Sequence, residues 1–207
     1  MGIFDSVIPM DGVMNTEARP FQMGSKKLGM WLFLISDALT FATLLISYAY
    51  LRLANPNWPT PFASVIKPTL MTLLLLSSSI TVTFAVASMK QGNRRSTARW
   101  LAATILCGVG FLILHILEWH HFWMIEKVTL SSNPWKVPLF GATFYAITGL
   151  HMLHVVCGVL YLLVMTIAVR RGKYSAEEVE TCGLYWHFVD LVWIFIFPLV
   201  YLTQVKA

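Results

Sequence analysis

Charge is scarce in this chain. Only 12% of its 207 residues are Asp, Glu, Lys or Arg, while 57% are hydrophobic and the mean hydropathy is +0.67. A soluble domain carries roughly 25% charged residues, so the deficit excludes an ordinary water-soluble protein and points to an integral membrane protein. A basic stripe with interleaved aromatics is lacking too. The basic residues behind the net charge of +5 sit between the apolar runs or at their ends, which argues for no nucleic-acid partner. Cysteine is sparse: Cys107, Cys157 and Cys182 show no paired spacing, which argues against a disulfide framework or a metal-thiolate site. Cys107 and Cys157 lie inside apolar runs and read as small hydrophobes. Residues 1–27 lack the basic start and apolar stretch of a cleavable signal peptide. Ile3, Phe4, Val7, Ile8 and Met10 equip that segment to lie on a membrane or on a partner. No linker divides the rest of the chain. It therefore reads as an N-terminal cytoplasmic or interfacial segment, 1–27, and one membrane domain, 28–207.

What is present is five long apolar runs, at about 28–52, 65–89, 98–124, 137–170 and 184–205. About 20 residues at 1.5 Å rise cross the ~30 Å hydrocarbon core. Only helices and closed barrels satisfy their backbone in lipid, and runs of this length without strand alternation are helices. The expected fold is all-α, a bundle of five transmembrane helices. Ten of the fifteen lysines and arginines fall in the segments on the side of the N-terminus, and five on the other side. That bias predicts a cytoplasmic N-terminus and a periplasmic C-terminus.

The ionisable residues inside the runs carry the functional signal. An ionisable group at membrane depth costs on the order of 2.5–3.5 kcal/mol, so it must face protein rather than lipid. Asp37 lies about nine residues into the first run, or roughly 14 Å along a helix. The third run ends in His115, Glu118, His120 and His121, and the fourth holds His151 and His154, three apart. The fifth run carries His187 and Asp190, again three apart and on one helix face, with Trp186 and Trp193 seven apart beside them. The second run has no deep charge but a hydroxyl cluster, Ser77, Ser78, Ser79, Thr81 and Thr83, which allows close helix contact and interhelical hydrogen bonds. Three readings of these groups stand side by side: polar packing, proton handling, and ligation of haem or a di-iron centre. Di-iron bundles need matched sets of carboxylates and the sequence has a single His-x-x-Glu. A small transporter is the rival class, against which stands the absence of an internal repeat.

The residues that carry a resemblance are Gly29-Met-Trp-Leu-Phe-Leu-Ile-Ser-Asp37-Ala-Leu-Thr-Phe41, the Ser77-Ser-Ser79 cluster, Glu118-Trp-His-His121, Gly149-Leu-His-Met-Leu-His-Val-Val-Cys-Gly158 and Tyr185-Trp-His-Phe-Val-Asp-Leu-Val-Trp193. The chain resembles subunit III of the haem-copper terminal oxidases, in the short bacterial form without the first two helices of the seven-helix type. The resemblance implies a non-catalytic subunit of a complex that reduces dioxygen to water and pumps protons in the bacterial inner membrane. It implies no catalytic residue, metal or cofactor in this chain, with haem and copper in partner subunits I and II. The implied partners are subunit I as the main contact, subunit II, a small subunit IV, phospholipid, and a respiratory supercomplex. Asp37 stands where the mitochondrial type has a carbodiimide-reactive glutamate. An aspartate there, with the Glu-aromatic-His-His run, also looks like the quinol oxidase version, so cytochrome c and quinol are both candidate donors. Asp37, His187, Asp190, Glu118, His115, His151 and His154 are the residues expected to support proton uptake. Asp37, His187 and Asp190 are further expected to lock helices one and five together. Leu28, Trp31, Arg52 and Trp58 are expected lipid contacts.

Overall fold

A computed structural model describes residues 24–62 and 64–204. Its elements are α1 (Ser25–Ala54), α2 (Ile66–Lys90), α3 (Arg94–Met124), α4 (Pro138–Arg170) and α5 (Ala176–Ile196), after which the last helix continues through a π-helical turn, Phe197–Tyr201, and a 3-10 turn, Leu202–Gln204. All five helices are long and apolar enough to cross a membrane. The interfacial reading of the N-terminal segment falls largely on 1–23, outside the described residues.

The connections explain where the helices stop. Gly92 and Gly172 adopt positive φ, +75° and +73°, and so end α2 and α4 in a left-handed residue that a side chain would disfavour. After Gly92 the Asn93 side chain accepts from the Ser96 N–H at 3.0 Å and starts α3. At the start of α5, Glu178 accepts from the Ser175 N–H at 2.9 Å, and Glu177 and Glu178 complement the positive end of the helix dipole. This capping lets α5 begin two turns before its apolar run. The polar turns also bind their neighbours: Lys26 reaches Glu178 at 2.9 Å, Lys27 reaches Glu180 at 2.8 Å and Lys90 reaches Glu180 at 3.5 Å. The ion pairs tie the start of α1 and the end of α2 to the start of α5. Because water screens such pairs, Lys27→Ala is expected to cost less than about 1 kcal/mol. Thermal unfolding should show that small loss shrinking as salt rises.

Four helices form a ring. α2 packs on α3, α3 on α4, α4 on α5 and α5 back on α2, while α1 lies outside against α4 and α5. Of the five apolar helices, the last is the most deeply buried in protein and α1 the least. α5 earns that burial with three aromatic side chains turned into the ring. Trp186 is fully buried, donates from Nε1 to Ser78 Oγ of α2 at 2.8 Å, and lies against Gly108 of α3 and Gly158 of α4. Trp193, also fully buried, donates to Thr72 Oγ1 of α2 at 2.9 Å and packs on Phe111 of α3 and His151 of α4. Tyr201, fully buried, donates to Glu118 Oε2 of α3 at 2.7 Å and packs on Phe144 of α4. Ser78 and Thr72 donate onward to carbonyls of their own helix, at 2.6 Å and 2.8 Å. Each indole N–H is thereby satisfied without leaving an orphan behind.

Candidate functional site

The ionisable residues divide into two groups. His115, Glu118, His151 and Asp190 are buried in the ring, whereas Asp37, His154 and His187 are half-buried at helix boundaries. His115 sits between Phe111, Trp119 and Trp193, and neither ring nitrogen has a hydrogen-bond partner among the described residues. His151 meets the Val189 carbonyl through Nε2 at 3.1 Å. Asp190 makes no well-formed hydrogen bond through either oxygen, although the Ser79 hydroxyl stands close by. Ser79 is committed instead to His187 Nδ1, at 2.7 Å. α5 is thus held to α2 by three polar contacts, at Ser78, Ser79 and Thr72.

The site with the clearest chemistry lies on the outer seam. Asp37 Oδ2 of α1 is 3.0 Å from His154 Nε2 of α4, and His154 Nδ1 is 2.8 Å from the Leu150 carbonyl. A carbonyl only accepts, so Nδ1 carries a proton. The contact between Nε2 and Oδ2 then needs one further proton, which sits on the imidazole or on the carboxyl. Either way the pair is neutral overall and holds one transferable proton. Phe41 covers the imidazole edge-on, with ring centroids 5.2 Å apart. The Tyr185 hydroxyl donates to the His154 carbonyl at 3.0 Å. Beside the pair, His154 and Tyr185 help to line a crevice of about 340 Å³, with Met30, Phe33, Leu153, Cys157 and Tyr161. Its walls are mostly apolar.

The expected α1–α5 lock takes a different form. Asp37 engages α4, because α1 leans across the seam between α4 and α5 and its Asp37 turn faces His154. His187 faces α2 instead. Among the described residues, no group of three or more His, Cys, Asp or Glu side chains converges closely enough to hold a metal ion.

A family model described as cytochrome c oxidase subunit III matches residues 4–205. The chain belongs to that family. Relatives include cytochrome c oxidase subunit 3 of Bacillus subtilis, 37% identical with 86% of each chain covered. The same-named protein of Alkalihalophilus pseudofirmus is 35% identical, with 87% of this chain and 88% of that one covered. Cytochrome bo(3) ubiquinol oxidase subunit 3 of Pseudomonas putida is 35% identical, with 86% of each covered. Relatives named for either donor therefore stand at near-equal identity.

Within this subunit III fold the expected lipid contacts do not form one site. Leu28 and Trp31 are exposed at the start of α1, whereas Arg52, 24 residues beyond Leu28 in the sequence, is roughly 36 Å away along the helix. Arg52 Nη2 donates to the Thr203 carbonyl at 2.6 Å. Trp58 packs edge-on against Tyr48 and Phe140. Sequence reasoning does not single out Thr72 or Tyr201. A lone threonine or tyrosine in an apolar run carries no signal until the facing helix is known. Trp186 and Trp193 do carry one, in their heptad spacing.

Proposed function

We propose that the chain serves as the non-catalytic subunit III of a haem-copper terminal oxidase, a complex that reduces dioxygen to water and pumps protons. In this reading it packs chiefly on subunit I, alongside subunit II and a small subunit IV. It lies in a bacterial inner membrane with its N-terminus cytoplasmic, the orientation favoured by the excess of basic residues on that side. The redox centres belong to the partner subunits, and this chain adds stability, bound lipid and support for proton uptake.

The observation that carries the proton-uptake reading is the Asp37–His154 couple, with one proton shared between two side chains from different helices. If release from one member is concerted with uptake at the other, such a couple relays a proton and stays neutral overall, which avoids the cost of an isolated ion. The apolar crevice beside it is suited to an acyl chain. Lipid there would screen the couple from the bilayer and hold α1 against α4.

The test is turnover of the purified oxidase. Asp37→Ala should leave the haem spectra intact and shorten the active lifetime several-fold at neutral and alkaline pH, where protons are scarce. Asp37→Asn keeps the side-chain shape and a hydrogen bond to His154 but cannot release a proton from the carboxyl position, so it should behave like the alanine variant. If Asp37→Asn runs as long as the parent, the couple acts in packing alone and the uptake role falls.

A further inference from the structure

Four arginines converge on the face where α3 begins and α4 ends. Arg94, Arg95 and Arg99, from the first two turns of α3, and Arg170, from the last turn of α4, line one open crevice of about 570 Å³, with the small buried Ala98 among the residues of its wall. The α3 arginines stand where the helix dipole is positive and where cations are disfavoured, and the first turn of α3 has no acidic residue to offset them. None of the four makes an ion pair among the described residues, and no carboxylate is among the residues that line the crevice. Membrane topology accounts for a positive excess on one side. It does not account for four guanidinium groups from two helices lining one crevice, an arrangement whose mutual repulsion, though screened by water, an anion between them would relieve.

We propose that Arg94, Arg95, Arg99 and Arg170 form a phosphate-binding site that takes the headgroup of an anionic phospholipid. Guanidinium groups match phosphate oxygens in paired, planar hydrogen bonds, which lysine does not provide. The surroundings point to lipid as the source of the phosphate. Ile167 and Leu163, one and two turns deeper than Arg170 on the same helix, are exposed and apolar. Trp100, the residue after Arg99, is partly exposed and packs on Phe84 of α2, with ring centroids 5.0 Å apart. A tryptophan at the level of the headgroups, with aliphatic side chains below it, is the setting of an interfacial lipid. This site is separate from the crevice at His154 and does not depend on the proton-uptake reading.

The test uses the purified oxidase in mild detergent and native mass spectrometry. Phosphatidylglycerol and phosphatidylcholine of matched chains are titrated separately, and inorganic pyrophosphate forms a third arm. The parent should retain phosphatidylglycerol roughly tenfold better than phosphatidylcholine. Arg95→Gln with Arg99→Gln should lower phosphatidylglycerol retention roughly tenfold, as should Arg170→Gln alone to a smaller degree, since it contributes from the other helix. Lys127→Gln with Lys136→Gln, outside this crevice, should change nothing. These substitutions are at exposed positions, and thermal unfolding measured alongside identifies any variant whose fold is lost, leaving the Arg170→Gln arm to decide. Retention that survives both arginine variants overturns the site. Arginine-dependent binding of pyrophosphate without preference for phosphatidylglycerol overturns the lipid assignment.

Discussion

Trp186→Ala is expected to destabilise the chain by about 3–5 kcal/mol, the range for truncating a large buried aromatic. Nothing can move in to fill the space, because the indole is wedged among three helices. On one side a Cβ placed on Gly158 would come within 2.8 Å of the ring, and on the other a Cβ on Gly108 would come within 2.7 Å. The two glycines are there because the indole is. Gly158→Ala should therefore cost about 1–3 kcal/mol in the parent, by overpacking a ring that is boxed in. In the Trp186→Ala background the added methyl enters the void, so the same change should cost little or become favourable. The two substitutions should couple by about 0.5–3 kcal/mol. Thermal unfolding of the four proteins of this cycle measures it. Costs that simply add would mean that the indole does not press on α4 at Gly158.

How far the sequence reveals this arrangement depends on the kind of information needed. Five apolar runs, each near the length of a bilayer crossing, specify five helices, because lipid leaves the backbone no alternative. An ionisable group at depth is costly unless it faces protein; His115, Glu118, His151 and Asp190 are buried in the ring, whereas Asp37, His154 and His187 are half-buried. Their partners are another matter. Spacing by three or seven says which residues share a face, not which helix that face meets. The sequence points Asp37 toward helix five, and only the placement of α1 outside the ring brings it to His154 of α4. Likewise the serine run of α2 reads as a contact surface, yet its division of labour comes from the relative depth of α2 and α5. Ser78 serves Trp186 and Ser79 serves His187.

Tyr201 shows a second limit. It lies eight residues after Trp193, which on a regular α-helix would turn it about 80° away from the tryptophan face. The π-helical turn Phe197–Tyr201 absorbs the extra residue and brings the phenol back into the ring. Pro198 sits in that turn. It has no N–H to give to the preceding turn, and a local widening of the helix is one way to accommodate it. Proline in an apolar run announces a departure from regular helix, but not whether the departure will be a kink or a bulge, nor which side chain it re-aims.

Tyr201→Phe isolates what that bulge achieves. The substitution keeps the ring and its contacts with Phe62, Phe144 and Trp193 and removes only the O–H that donates to Glu118 Oε2. Interhelical hydrogen bonds in membrane bundles average about 0.6 kcal/mol and reach about 1.7. This one should fall at or above the top of that range. Glu118 is 6% exposed, and its carboxyl would lose its donor, which costs about 1–3 kcal/mol for a buried group. Glu118→Leu alone should also destabilise, since it leaves the phenol O–H buried without an acceptor. Tyr201→Phe combined with Glu118→Leu removes both halves and should be nearly neutral relative to the parent, and so less costly than either single change, because an apolar pair leaves nothing unsatisfied. Thermal unfolding of the purified complex reads all three. Equal and additive losses would mean that the phenol and the carboxyl act independently, and the bulge would then owe its place to Pro198 alone.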